Sequence, residues 1–232
     1  MRYFTSDQNF GHANILRYED RRYKLGNKYT STDAMDTHLV DRWNATVSAD
    51  DTVYCIGDFA FKSQILRDIM PFLNGTKIMV TGNHDPFFKR AVNGEMGKAT
   101  ALALALALAL ELGFSELHFQ HNIEIAGIGL VRLSHFPYVP PSLEGLQDYE
   151  LRYIDISPKP GREKLLLHGH VHSAWKSRQH RGQPPMLNVG VDLWDMRPIS
   201  EAEIVAEYAV SPRVGDRPTL AELKILRAQG RI

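Results

Sequence analysis

Asp7-Gln8-Asn9, Gly57-Asp58, Gly82-Asn83-His84-Asp85, His135 and Gly169-His170-Val171-His172 each stand where an apolar, β-branched run stops. Together they offer carboxylate, amide and imidazole donors, and no thiolate. That donor mixture suits a pair of divalent cations such as Mn²⁺, Fe or Zn²⁺. Paired cations of this kind most often cut phosphate esters, because they polarise phosphoryl oxygens and lower the pKa of bound water.

Each stretch has a chemical reading and a plainer one. In Gly169-His170-Val171-His172, residues i and i+2 of an extended chain point to the same side, so two imidazoles can face one cavity. The plainer account is a His-rich surface turn, with His168 beside it. Gly82 lets the backbone turn sharply or approach a ligand closely. Asn83 then offers an amide oxygen to a metal, and His84 can act as acid or base; an Asx turn is the alternative. Asp58 could bridge two cations, one through each oxygen, or simply form a turn or helix cap, and Asp7 carries the same ambiguity. His135 leaves an alternating strand and enters a proline turn, where a lone histidine is more often a satisfied core or turn residue.

The elements that must position these residues are legible as short apolar runs at Tyr3–Thr5, Val53–Ile56, Lys77–Thr81, Gly129–Leu133, Leu165–Leu167 and Met186–Val191. Their length and their Val, Ile, Tyr and Thr content predict buried strands. Helical patterns lie at Asp33–Ala45, capped by Thr32 or Asp33, and at Ser63–Leu73 and Thr219–Gln229. Strand–loop–helix alternation means an α/β fold, in which ligands sit beyond the strand C-termini. Ala99–Leu112 alternates Ala and Leu, a strand-like period written in strong helix formers. With Gly113 as a stop it reads as helix, whose leucines must pack internally or meet another subunit. Arg178–Pro185 looks like an exposed hairpin or flap. Arg17, Arg21, Arg22 and Tyr23 could line a phosphate pocket, although a solvated charged face is the simpler account.

The 232 residues suit one α/β domain with no evident linker, and 44% apolar with 23% charged residues is ordinary for a globular protein. Lys plus Arg equals Asp plus Glu at 27 each. That neutral balance argues against a protein that grips long nucleic acid through phosphates alone, and says nothing of a small phosphorylated ligand. The single cysteine, Cys55, lies in an apolar run and reads as a buried structural thiol. With no apolar signal core and no membrane-length apolar run, the expectation is a soluble, cytoplasmic protein.

Taken in order, the motifs closely resemble the calcineurin-like metallophosphoesterase superfamily, whose pattern runs Asp-x-His, Gly-Asp, Gly-Asn-His-Asp/Glu, a lone His, then Gly-His-x-His. The resemblance spans Asp7 to His172, and Asn188-Val189-Gly190-Val191-Asp192 is similar as well. It implies a two-sheet β-sandwich with helices on both outer faces and two divalent metals at its loop end, Mn first, with Fe, Zn or Ni as alternatives. By position, Asp7, Asp58 and His172 would bind the first metal, and Asn83, His135 and His170 the second, with Asp58 shared. His84 would be the general acid or a phosphate contact. The chain departs from the pattern at Asn9, where the family has His. Asn9 could ligate through oxygen, the first metal could bind weakly, or His12 could compensate. The implied activity is hydrolysis of a phosphodiester or phosphomonoester, with a small nucleotide-like substrate favoured over nucleic acid and no membrane partner. A scaffold of the same fold acting through protein contacts, with a homodimer through the Ala/Leu segment, is the alternative.

Overall fold

The structure, a computed structural model, describes residues 1–21, 31–88, 98–141 and 153–211. It is a mixed α/β fold with two five-stranded sheets. The first sheet holds β1 (Arg2–Thr5), β2 (Thr52–Cys55), β3 (Thr76–Val80), β4 (Glu116–His118) and β10 (Ile199–Ser200) in the order β10-β1-β2-β3-β4. The pairs β1–β2, β2–β3 and β3–β4 are parallel, and β10 is antiparallel to β1. The second sheet holds β5 (Gln120–Ile125), β6 (Gly129–Ser134), β7 (Leu165–His168), β8 (Ser177–Arg178) and β9 (Met186–Asn188) in the order β5-β6-β7-β9-β8. Its three inner strands, β6, β7 and β9, are parallel.

Parallel pairing in register explains why the polar motifs converge. Thr5 stands opposite Cys55, and Cys55 opposite Met79, so β1, β2 and β3 end together. Leu133, Leu167 and Leu187 align in the same way in the second sheet. Asp7, Asp58, Asn83, His135 and His170 therefore leave their strands at one level, one to three residues beyond the last paired position. The sheets also touch at this end, through a parallel bridge from Ser6 to Gly190 and the Val191 N–H donating to the Ser6 carbonyl at 3.0 Å.

Two apolar clusters hold the strands in place. Alternation sends Phe4, Tyr54, Ile56, Ile78 and Val80 to one face of the first sheet, where they share a cluster with Val131, Leu133, Leu165, Leu167 and Leu187 of the second. Tyr3, Val53, Cys55 and Met79 face the other way, against helices. These helices are α2 (Thr32–Asn44), through Met35, Leu39 and Trp43; α3 (Ser63–Ile69), through Leu66; and α4 (Lys98–Glu111), through Ala105, Leu108 and Ala109. A short α1 (Ile15–Tyr18) adds Ile15 and Leu16. Among the described residues, the far face of the second sheet, where Leu166 and Met186 point, is covered by Tyr138 and Trp175 from loops.

Several expectations shift in detail. Pro71 ends α3 early, and Met70–Phe72 continues as a 3-10 turn, because proline has no N–H for the helix ladder. The run Met186–Val191 divides into β9 and a 3-10 turn at Val191–Leu193. Arg178–Pro185 connects β8 to its antiparallel neighbour β9. A helix unannounced by the apolar pattern, α5 (Glu201–Val210), opens on a capping box in which Ser200 and Glu203 satisfy each other's backbone N–H. The segment 219–229 lies outside the described residues. Leu108 of α4 and Leu112 just after it pack inward as expected of a core helix, while Leu102, Leu104, Leu106 and Leu110 remain exposed. No helix among the described residues is long and apolar enough to cross a membrane.

Phe59 is the hinge between core and site, since it follows Asp58 directly and its ring meets Phe10, Trp43 and Phe114 at 5.2, 6.0 and 5.6 Å. Truncation to Phe59→Ala removes these contacts from a fully buried position and should cost about 3–5 kcal/mol of stability. A urea denaturation midpoint unchanged from wild type would show that the core does not grip the site through this ring.

Candidate functional site

Asp7, Asn9, Asp58, Asn83, His84, His135, His170 and His172 come together at the shared end of the two sheets. Asp7 and Asp58 are fully buried or nearly so, and their carboxylates lie with His135 in a group whose donor atoms are all within 4.8 Å of one another. The Nε2 of His135 is 3.4 Å from Asp58 Oδ2, and the Nε2 of His84 is 4.0 Å from that same oxygen. His172 places its Nε2 3.8 Å from Asp7 Oδ1. The rings of His135 and His170 are 5.2 Å apart. Asp58, Asn83, His84, His170 and His172 line one open cavity, together with Tyr18, Glu19 and Tyr153.

The backbone is bent to achieve this. Eight non-glycine residues among those described have positive φ, and five of them are Asp7, Asn9, Asp58, His170 and His172. Such conformations cost about 1–3 kcal/mol each and persist only where the surroundings over-determine them. The glycines of the motifs are required by contact. A Cβ on Gly169 would overlap Ser6 Oγ and Asp7 Oδ2, and one on Gly82 would overlap Asp58 Oδ1.

Backbone donors fix the two carboxylates. The His170 N–H donates to both oxygens of Asp7 at 3.2 and 3.1 Å, and the His84 N–H donates to Asp58 Oδ1 at 3.0 Å. A layer of polar side chains then holds the loops themselves. Asp85 accepts from the N–H groups of Asp58, Phe59 and Gly82 at 3.0, 2.9 and 2.7 Å, which ties the second and third motifs together. Asn188 donates to the carbonyls of His172 and Trp175 at 2.7 and 3.1 Å and accepts from the Gly190 N–H at 2.8 Å.

Arg21 corrects the expectation of a solvated charged face. It is fully buried, meets Asp192 through Nε and Nη2 at 2.9 and 2.8 Å, and donates to the carbonyls of Gln8 and Asp7 at 2.8 and 2.7 Å. Its donors are spent inside the protein, so it positions the first motif instead of lining a phosphate pocket. Arg17 is exposed, and Arg22 and Tyr23 lie outside the described residues. Asp85, Asp192 and Glu19 are the residues to which reading motif by motif gave no role. Of these, Asp85 and Asp192 stand inside quoted motifs, whereas nothing local marks Glu19. The carboxylate of Glu19 forms a second donor group with His172 and Asp192, and accepts from the Ser173 N–H and hydroxyl at 3.2 and 2.6 Å.

The electrostatics are those of charges taken out of water. Burial pushes the Asp7 carboxyl up. Burial opposes the charge on Asp58 too, but His135 and the His84 N–H outweigh it and hold this carboxyl well below the usual range. Burial would likewise lower His135, yet Asp58, Asp7 and the Ile56 carbonyl together push it up to about 9. His170, buried and beside His135, is lowered to about 3. Burial, then the nearby Asp58 charge, raises Asp85 to about 7.

Buried polar atoms without a hydrogen bond include Asn83 Oδ1 and His135 Nε2, whereas His172 Nδ1 faces Asp192 Oδ2 at 3.5 Å. Leaving such an atom unsatisfied costs about 1–3 kcal/mol, so two at one site call for a partner other than protein. Two neighbouring buried carboxylates make the same demand for positive charge. Oxygen and imidazole donors in this arrangement fit divalent cations. Asn9 donates its amide Nδ2 to the Asp7 carbonyl at 3.1 Å, which leaves Oδ1 as the end of the amide not used in that turn. His12 packs on Phe61 at a tilt with ring centroids 4.2 Å apart, and Phe61 stacks on His84 at 4.2 Å.

No protein-family model matches the chain. Among curated proteins it is similar to the Gene 66 proteins of Mycobacterium phages D29 and L5. Identity to the D29 protein is 28% over 207 residues, covering 86% of this chain and 92% of that protein. Identity to the L5 protein is 29% over 210 residues, covering 87% and 91%. It is also 34% identical over 88 residues to the uncharacterized protein MJ1445 of Methanocaldococcus jannaschii, a match that spans 37% of this chain and 47% of that relative's length. Among solved structures it is similar to AQ665, a protein of unknown function from Aquifex aeolicus, with a TM-score of 0.53 and 26% identity over 88% of this chain and 97% of that one. Phosphopantetheinyl hydrolase (PptH) from Mycobacterium tuberculosis aligns with a TM-score of 0.40 and 14% identity over 82% and 88% of the two chains.

Removing the Arg21 guanidinium leaves Asp192 buried and unpaired and frees the Asp7–Gln8 carbonyls. Arg21→Ala should therefore cost about 3–5 kcal/mol in chemical denaturation, far beyond a surface charge deletion. A loss under 1 kcal/mol would return Arg21 to the role of an ordinary surface charge.

Proposed function

We propose that the chain is a divalent-metal-dependent phosphoesterase of the calcineurin-like metallophosphoesterase kind, in one domain with its two sheets layered as an α/β/β/α sandwich. The observation that carries this is the cluster of Asp7, Asp58 and His135 donor atoms within 4.8 Å of one another beside the cavity lined by Asn83, His170 and His172, with Asn83 Oδ1 and His135 Nε2 buried and without a hydrogen bond. Asp7, Asp58 and His172 would hold the first cation, and Asn83, His135 and His170 the second, with Asp58 shared between them. Asn9 would add its amide oxygen to the first. That oxygen is a harder donor than the imidazole it replaces, which favours Mn²⁺ over Zn²⁺ at this position, with Fe and Ni between. When bound, the pair supplies an activated water and neutralises charge on the phosphoryl group.

The chain's own side chains do the rest. Asn83 points an amide at the cavity. His84 stands at the rim, its side chain 40% exposed, with its backbone anchored to Asp58 and its ring held flat by Phe61. In that position it can donate a proton to the leaving oxygen, a contribution worth about 10²–10⁴-fold in rate. Phosphate charge is met by the buried dipoles and cations, with no covalent phosphoenzyme. The open cavity suits a small phosphodiester or monoester of nucleotide size, and the cytoplasm suits a protein with one buried thiol. The second reading is a scaffold or homodimer acting through protein contacts; the exposed Leu102, Leu106 and Leu110 on one face of α4 favour it.

Initial rates on bis(4-nitrophenyl) phosphate and 4-nitrophenyl phosphate with added Mn²⁺ test the reading. Turnover that disappears in Asp58→Ala is expected, and no turnover on either ester would leave the scaffold reading in possession. Ligand linkage gives a second check that needs no turnover. Mn²⁺ at a hundred times its Kd should stabilise the wild type by about 2.7 kcal/mol per site, and Asp58→Ala by much less. If His84 is the acid, His84→Ala should slow alkyl phosphate esters far more than nitrophenyl ones; equal losses would remove that role.

A further inference from the structure

His12 follows the first motif, yet the proposed centre leaves it without a task. It belongs to neither donor group among the described residues, and its buried Nδ1 has no hydrogen bond. What it touches is a phenyl ring. The loops of the first and second motifs run side by side, with the Asn9 N–H on the Asp58 carbonyl at 3.0 Å and the Phe10 N–H on the Phe59 carbonyl at 2.9 Å. Phe10 and Ala60 then pair in a parallel bridge, and His12 and Phe61 come directly after it. Their ring centroids are 4.2 Å apart with planes at 33°. The third motif brings His84 to the same Phe61 at 4.2 Å with planes at 26°. Carbon atoms pack at about 3.5–4.0 Å, so two rings this close and this nearly parallel cannot share one face of a phenyl group. Phe61 therefore stands between the two imidazoles.

This stack answers a specific weakness of His84. Its backbone is anchored, because its N–H donates to Asp58 Oδ1 at 3.0 Å. Its side chain is 40% exposed and lines the open cavity. The χ2 torsion of histidine is broad and roughly two-fold, so an anchored backbone does not set the plane of the ring. That plane decides where a ring N–H points, and a misdirected proton donor loses most of its effect. Contact with the face of Phe61 sets the plane. Phe61 is itself only half-buried, in the loop just before α3, and a ring packed on one face alone can swing away from its partner. His12 covers the other face.

We propose that Phe61 and His12 are positioning residues for His84. The stack of three rings, one from the loop of each of the first three motifs, holds the imidazole plane at the mouth of the cavity for proton transfer to the leaving oxygen. His12 is then an outer brace of the stack, and not a stand-in for the imidazole that Asn9 replaces. The acid role rests on the phosphoesterase reading; the stack stands on the ring geometry.

Rates of the Mn²⁺-loaded full chain on nitrophenyl and phenethyl esters of phosphate test this, because the poor phenethyl leaving group is the one that needs an acid. Phe61→Leu keeps apolar bulk but loses the flat face. It should slow the phenethyl ester by about 10–100-fold and the nitrophenyl ester far less. Phe61→Tyr keeps the face and should restore most of the rate, and His12→Ala should show a smaller loss of the same kind. In a His84→Ala background, Phe61→Leu should add nothing, the mark of residues that act as one unit. Proton NMR gives a readout without turnover: the Phe61 ring current should shift the His84 ring protons upfield, and Phe61→Leu should remove that shift. Equal losses on the two esters, losses that persist without His84, or an upfield shift unmoved by Phe61→Leu would overturn the positioning role. Mn²⁺ binding lost in His12→Ala as fully as in Asp58→Ala would make His12 a ligand and overturn its place in the stack. Absence of turnover on any ester removes the phosphoesterase reading and the acid role with it, whereas turnover without a split between the esters removes the positioning alone.

Discussion

Two carboxylates buried side by side set the terms for everything around them. Asp7 and Asp58 repel each other in a medium that screens poorly, and each has been removed from water. The fold answers with donors and imidazoles that face them: the His170 N–H hydrogen-bonds Asp7, the His84 N–H hydrogen-bonds Asp58, and the His135 and His172 imidazoles stand within 4 Å. Those groups come from three different loops, so the pair can exist only if β1, β2, β3, β6 and β7 end at one level. Parallel register supplies that level. The architecture of both sheets is, in this sense, a device for keeping two like charges together.

Holding the charges also requires unfavourable backbone. Five of the candidate residues adopt left-handed conformations, which a free loop would abandon. They stay because a ring of polar side chains fixes the loops from behind. Asp85 gathers three N–H groups from two motifs, Asn188 grips both sides of the last motif, and Arg21 bridges the first motif to Asp192. Behind that ring lies close-packed core, beginning with Phe59 immediately after Asp58. Strain at the site is thus sustained by polar clamps and apolar packing in series, and loosening either layer frees the same few residues.

The sequence made the α/β class, the inner strands and the convergence of polar motifs legible, because buried parallel strands are short apolar runs and ligands lie beyond their C-termini. What escaped it was non-local. Edge strands such as β4, with Glu116 and His118, and the two-residue β10 lack a continuous apolar run, since one side faces solvent. Arg21 was misjudged because a buried arginine looks like any surface arginine until its partner, 171 residues away, is known. Glu19 joins His172 and Asp192 for the same reason. The leucines of α4 show the opposite limit: an Ala-Leu alternation distributes leucine around the whole helix, and the pattern does not say that the alanines would take the inner face.

Asn9 brings these threads together. Its position has φ of +54°, in the left-handed region where Asn is several-fold enriched among non-glycine residues. Its Nδ2 closes the turn onto the Asp7 carbonyl, the same oxygen that Arg21 holds from the other side. The residue therefore satisfies a backbone requirement of the loop that presents Asp7 in its own right. In the proposed metal site the amide would change the donor and not the scaffold, offering a carbonyl-type oxygen, harder than an imidazole nitrogen, from a left-handed turn that Asn9 itself closes.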